Sequence, residues 1–268
     1  MSTTSPYNEA MIVSLIKEYY SLLISLSYLR ASQIVSPPPS GHVINEKLCN
    51  SLGLDAAVIS LMKKLPYIDG PYSAGDGQLD QDASAYGCLL FPGSWTGSLA
   101  YSFLRDDDIM ESRDPYATGT QGYRLNYLLG HDIALAHNLR DGMTLVLDTK
   151  ANTVRMLDNN DSPEVVNPEG TPLERPEEPM YYRNYHAQDA TAYFKTLIAD
   201  VRSLEYIPYG GDKYDREFFS SDAYPEICAH AKKVLLDEYG WGSENFRQDQ
   251  WAADAERVLE NIIHESGS

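Results

Sequence analysis

Cysteine is scarce. The 268-residue chain has three, Cys49, Cys88 and Cys228, odd in number, far apart and without a C-x-x-C pair. A disulfide framework and a clustered zinc site are therefore unsupported, and a reducing compartment, the cytoplasm, is the expectation. Long apolar runs are also missing. The longest uncharged apolar piece near the start, residues 19–29, falls short of the roughly 20 residues a bilayer-spanning helix needs. Residues 1–7 lack a basic leader, and Lys17 and Glu18 interrupt the apolar run that follows, so no signal peptide is expected. Basic residues are few, 21 against 39 acids, for a net charge of −18. Such a chain repels phosphate, which argues against nucleic acid and against anionic membranes. A basic protein partner fits that charge. The phosphate-loop pattern G-x-x-x-x-G-K and the metalloprotease pattern H-E-x-x-H are absent, and Gly75 and Gly77 lack the third glycine and flanking elements of a dinucleotide loop. No cofactor is expected.

What is present is ordinary for a globular chain: 43% hydrophobic and 22% charged residues. Ile12, Leu15, Ile16, Tyr19, Leu22, Leu23 and Leu26 recur at helical spacing, predicting a helix over residues 6–33. Met11, Tyr20, Ile24 and Tyr28 spread apolar surface around it, as in a helix buried by several neighbours. Pro37, Pro38 and Pro39 stop it. A second helix is expected over residues 46–65, weakened at Gly53 and ended by Pro66. Residues 69–82 read as a loop, and 89–91 and 98–104 as strands around a Pro92-Gly93 turn.

The central stretch, residues 123–158, reads as four short strands. Tyr123, Leu125, Tyr127 and Leu129 alternate with Arg124, Asn126 and Leu128; Ile133, Leu135 and His137 alternate with Ala134 and Ala136. Met143, Leu145 and Leu147 follow the Asp141-Gly142 turn signal, and residues 153–158 pair back after a turn at 150–152. Links this short make the strands mainly antiparallel, because a parallel crossover needs a dozen or more residues. Residues 159–179 hold five prolines and many acids and read as an exposed loop. Helices are expected at 187–204, 224–239 and 248–263, with a connector at 206–222 and Gly240 closing the middle helix.

Several patterns invite a chemical reading. Asp106-Asp107-Asp108 contains a D-x-D of the kind some sugar transferases use to hold a divalent metal. With His131 it defines a metal-dependent transferase or hydrolase as an alternative; a solvated strand-end loop is the plainer reading. Asp158, Asn160, Ser162, Glu164 and Glu169 fall on calcium-loop positions, but Pro163 stands where that template needs glycine. His131 and His137 can serve acid–base chemistry, yet no nucleophile motif accompanies them, and Ser94 sits one place early for G-x-S-x-G. The 20 tyrosines are unusual. Tyr206, Tyr209 and Tyr214, with Trp95 between glycines, are the candidate interaction residues, since such side chains suit half-buried, half-wet surfaces.

Leu65-Pro66-Tyr67, the run from Ile133 to Asn138, the run from Leu145 to Thr149, and Val154 are similar to the SUKH superfamily, which includes fungal cell-wall-synthesis regulators and bacterial toxin-immunity proteins. The resemblance spans residues 60–160. Pro37 to His42 and Tyr239-Gly240-Trp241 also resemble uncharacterised fungal proteins. The resemblance implies an α+β fold built for binding, with no catalytic residues to carry over.

The expectation is thus one α+β domain over residues 1–268: an antiparallel sheet flanked by N-terminal and C-terminal helices. Its function is read as non-enzymatic binding or regulation through protein contacts. The alternatives are the metal-dependent enzyme above and a homo-oligomeric subunit assembled through the first helix.

Overall fold

The computed structural model describes residues 5–68, 98–114, 122–138, 143–158, 161–209 and 217–266. The chain is α+β, with antiparallel sheets and helices toward both ends. Helix α1 (Glu9–Ser25) starts at Asn8, whose side chain accepts from Met11 N, and carries Glu9 in its first turn. It stops well before residue 33. Ser27 turns left-handed (φ 63°), and the amides of Ser27 and Tyr28 bond back to Ile24 O and Leu23 O at 2.9 Å. These two hydrogen bonds close the helix end. Its apolar side chains face several neighbours: Ile12, Leu15, Ile16, Tyr19, Tyr20 and Leu23 are all buried.

The expected second helix is two, α2 (Glu46–Ser51) and α3 (Ala56–Met62). Gly53 between them has φ +69°, a conformation glycine adopts without a side-chain clash. Two short strands, β1 (Ile34–Val35) and β2 (Tyr67–Ile68), pair beside them.

The central sheet has the order β3 (Ser98–Ala100), β4 (Asp132–Asn138), β5 (Met143–Asp148), β6 (Thr153–Asp158), β7 (Ala187–Asp189), antiparallel throughout. Three of the four expected central strands are therefore present. A bulge between Ala134 and Ala136 shifts the β4–β5 register. The fourth expected strand, residues 123–129, is an irregular loop. The alternation there is misleading: Tyr123, Leu125 and Leu129 are 37%, 38% and 37% exposed, while Leu128, on the opposite phase, is buried. Side chains replace the missing ladder. Arg113 donates to Leu125 O and Leu129 O, and Asp114 grips Arg124 through its amide and its guanidinium.

Acid-rich residues 106–108 also differ from expectation. They do not form a solvated strand-end loop but open a short helix, α4 (Asp106–Glu111), where an acid is favoured by the amide dipoles. The proline-rich segment contains helix α5 (Pro163–Val166), begun by Pro163 at a position that needs no amide donor. Helix α6 (Ala190–Arg202) packs on α1 and on β6 and β7. The connector at 206–222 contains a hairpin, β8 (Tyr206–Tyr209) with β9 (Glu217–Ser220). Helices α7 (Pro225–Asp237) and α8 (Gln248–Glu265) close the fold, with Gly240 just past α7 at φ +76°.

The ends of the chain meet. Fully buried Trp251 on α8 donates its indole N–H to Leu26 O (3.1 Å) and packs edge-on against Tyr239 at 5.0 Å. Trp241 donates to Arg202 O (2.8 Å) at the end of α6. The buried apolar side chains of all these elements form one contiguous cluster. Replacing Trp251 by alanine should therefore cost about 3–5 kcal/mol and lower the single urea transition as a whole. A variant losing under ~1 kcal/mol would show α8 to be dispensable to that core.

Candidate functional site

Two strand ends place like charges side by side. Asp132 begins β4 and Asp148 ends β5, and the two are directly opposite in the ladder. They are 0% and 1% exposed. Directly opposed like charges destabilise a sheet unless something bridges them. The bridge comes from the 3₁₀ turn Tyr182–Asn184. Arg183 Nη1 donates to Asp132 Oδ2 (2.9 Å) and to Asp148 Oδ2 (3.2 Å). The neighbouring Tyr182 hydroxyl donates to Asp132 Oδ2 at 2.5 Å and accepts from Leu129 N at 3.0 Å. Arg183 Nε and Arg155 Nη2 then converge on Glu174, at 2.8 and 3.1 Å.

The two aspartates titrate in opposite directions. Burial pushes the Asp132 carboxyl up, the Tyr182 hydrogen bond opposes it, and the Asp148 charge adds to the rise. Burial also pushes Asp148 up, but the amides of Ala151 and Lys150 (2.8 Å each) and the charge of Arg183 outweigh it and hold it below the ordinary range.

Arg113 supports the site from beneath. It is buried, and its guanidinium donates to four backbone oxygens: Leu125 O at 3.3 Å, Asp132 O at 3.2 Å, Leu129 O at 3.4 Å, and Leu128 O. Gly130, in the same loop, lies against the α2–α3 turn: a Cβ there would fall 2.3 Å from Gly53 O, and Asp55 N donates to Gly130 O. Only glycine tolerates that approach. Arg113→Lys removes the fork and leaves buried carbonyls unpaired, so it should cost about 2–4 kcal/mol in chemical unfolding and fail to behave as a conservative change.

The acidic segment is pinned to this centre. Tyr185 donates its hydroxyl to Asp158 O and Asp161 O (2.8 and 2.9 Å). Asn184 accepts from Arg175 N and donates to the carbonyls of Arg175, Glu178 and Pro179. Asn167 donates to Asn184 O and accepts from His186 N, both at 2.7 Å. Held this way, the loop presents Val165 at 68% exposure, with Val166 and Met180 also exposed. Asp161, Glu164, Glu169, Glu174, Glu177 and Glu178 lie exposed along the same segment. The sequence shows the acids but not the pinning, because Asn184 and Tyr185 act across as many as 27 positions of chain.

The residues singled out from sequence are distributed differently. Asp106 accepts from Asn45 Nδ2 at 2.8 Å and is exposed, as is Asp107. Asp108 is buried and clasped by Arg105 (Nη2 at 2.9 and 2.8 Å), with Ser102 N at 2.9 Å. His131 does not join them. Among the described residues its ring instead converges with Asp132 and Asp148, one ligand atom from each lying within 4.8 Å of the others. His137 pairs with Leu99 in the sheet. Tyr206 and Tyr209 are half-buried in β8, Tyr209 tilted on Phe219 at 5.1 Å. Tyr209 also lines a cleft of about 530 Å³ with Ile24, Leu29, Arg30, Ala252 and Leu259. Trp95 and Tyr214 lie outside the described residues, as do Gly75, Gly77 and Asn160. No described helix is long and apolar enough to cross a membrane. Comparison with family models, curated proteins and solved structures finds no significant match.

Asp108 and Glu111 set a pH dependence. Burial is the main cause that raises both carboxyls; Arg105 opposes it at Asp108, and the Tyr123 hydroxyl opposes it at Glu111. The folded chain then keeps protons that the unfolded chain has released. Between the ordinary carboxylate range and the raised folded values, stability falls as pH rises. The melting temperature should decrease as pH rises above the ordinary carboxylate range, and Glu111→Gln should flatten that slope, as scanning calorimetry would register.

Proposed function

We propose that this protein is a non-enzymatic binding or regulatory protein that engages a basic protein segment through the pinned acidic loop. The observation that carries this reading is Val165, 68% exposed in a pinned segment where Asp161, Glu164 and Glu169 are also exposed. Ordered loops on a rigid scaffold are where recognition residues concentrate. An exposed apolar residue rimmed by charge suits a partner that offers lysine or arginine around an apolar side chain. The net charge of −18 draws such a partner in over distance. The likeness to the binding-built SUKH superfamily points the same way, as does a cytoplasmic setting for a chain with few cysteines.

Fluorescence anisotropy with labelled Lys/Arg-rich peptides carrying apolar residues tests the reading. Binding should saturate and weaken at least ~10-fold between low and high salt, because exposed charges are screened beyond about 8–10 Å at physiological ionic strength. Val165→Asp should weaken it by roughly 10-fold with the melting temperature unchanged. No saturable peptide, or an affinity indifferent to salt, refutes the proposal.

A further inference from the structure

We propose that His131, Asp132 and Asp148 form a binding site for a borderline divalent transition metal, of which Zn²⁺ is the type. This goes beyond the acidic-loop reading, and none of the three ligands lies on that loop. Three observations carry it. Each residue brings one ligand atom within 4.8 Å of the other two, an imidazole nitrogen and two carboxylate oxygens. Zinc bonds of about 2.1 Å in a tetrahedron place ligand atoms roughly 3.4 Å apart, so the three need draw in by at most ~1.4 Å. His131 is half-buried and immediately precedes β4.

The second observation is an orphan. Asp132 is 0% exposed, yet its Oδ1 has no hydrogen-bond partner. A bare carboxylate oxygen in that position is costly. A proton alone does not satisfy it, because the O–H so formed needs an acceptor in turn. A metal ion does.

The third is the arrangement around the orphan. Tyr182 and Arg183 both bind Asp132 through the other oxygen, Oδ2. Asp148 is fixed by two amides on Oδ1 and by Arg183 on Oδ2. Outer groups that orient a carboxylate and leave one oxygen bare are how proteins aim metal ligands. Ligand chemistry decides the metal class. Asp132, Asp148 and Glu174 are balanced by Arg155, Arg183 and Arg113, the last within electrostatic reach of Asp132, so net charge favours no one divalent ion over another. Ca²⁺ and Mg²⁺ rest on oxygen-only ligand sets. An imidazole nitrogen with two carboxylates suits Zn²⁺. Bound there, the ion ties the loop at His131 to the ends of β4 and β5 and has a structural role.

The test uses the full chain, stripped with chelator and dialysed. Calorimetric titration with ZnCl₂ at about pH 7.5 should give one ion per chain with a dissociation constant below roughly 10 μM. His131→Ala should weaken binding at least ~10-fold. Co²⁺ in place of Zn²⁺ should give visible d–d absorption that His131→Ala abolishes. Ca²⁺ and Mg²⁺ at about 1 mM should give no saturable heat. Asp132→Asn should abolish binding while keeping the parent circular dichroism; His131→Ala, at the edge of the network, carries the test if the asparagine variant does not fold. Absence of saturable Zn²⁺ binding below ~100 μM, binding unchanged in His131→Ala, or Ca²⁺ bound in preference overturns the proposal.

Discussion

Two buried aspartates face each other where β4 begins and β5 ends, and much of the architecture serves that pair. Asp132 and Asp148 are direct ladder partners with almost no solvent access. Removing charges from water costs several kcal/mol per ion after relaxation, and facing like charges adds to it. Arg183 is the cation that touches both. It stands there because the turn Tyr182–Asn184 is docked against the β4–β5 ends. That turn is docked in turn by Tyr182, whose hydroxyl links Asp132 to Leu129, and whose amide donates to the Tyr127 hydroxyl at 3.2 Å. The pair also fixes register. Slipping β4 by one residue would set Asp132 against an apolar neighbour of Asp148 and carry its carboxylate to the other sheet face, out of reach of Arg183.

One consequence is that the acidic loop is ordered despite a composition that promises nothing of the kind. Glu174 leaves the loop to meet Arg155 and Arg183, so the ionic centre reaches out into the segment that bears Val165. Asn184, the residue after Arg183, gathers the carbonyls of Arg175, Glu178 and Pro179. A short piece of chain thus does two jobs: its charge neutralises the strand ends, and its amide side chain folds the loop. Loop ordering before binding lowers the entropy lost on contact with a partner.

How much of this is legible in the sequence depends on the range over which each residue acts. Helices α1, α6, α7 and α8 show themselves through their own periodicity, and β4, β5 and β6 through alternation and short turns. Gly53 marks the α2–α3 break because a left-handed turn is a local matter. Residues 123–129 mislead for the opposite reason. Their alternation is local, but their backbone partners are the side chains of Arg113 and Asp114, earlier in the chain. Asp106 to Asp108 look like one cluster because they are adjacent. Yet helix geometry turns Asp108 inward to Arg105 and leaves Asp106 and Asp107 outside. The grouping of His131 with Asp132 and Asp148 needs the β4–β5 register, which the bulge at Ala134 to Ala136 conceals from pattern reading.

The distribution of charge ties the two proposals together. Arginine is concentrated where carboxylates are buried: Arg105 on Asp108, Arg124 on Asp114, Arg155 and Arg183 around Asp148 and Asp132. Its planar, multi-donor head suits those pairs, and a lysine cannot span two carboxylates in the same way. Several of the chain's few cations are therefore engaged with interior acids; on the loop, Glu174 and Glu178 meet arginines, and the other exposed acids add to the acidic surface. The same allocation that makes the interior electrically quiet makes the exterior strongly acidic. Within the interior, Asp132 Oδ1 is the one oxygen of the paired aspartates that the arginines and amides leave bare. On the two proposals, an ion that bonds through an imidazole and fixed carboxylate oxygens would be drawn to the interior defect, and a basic polypeptide, too large to enter, to the loop. The two ligands would then be separated by size and coordination chemistry within one continuous network of charge.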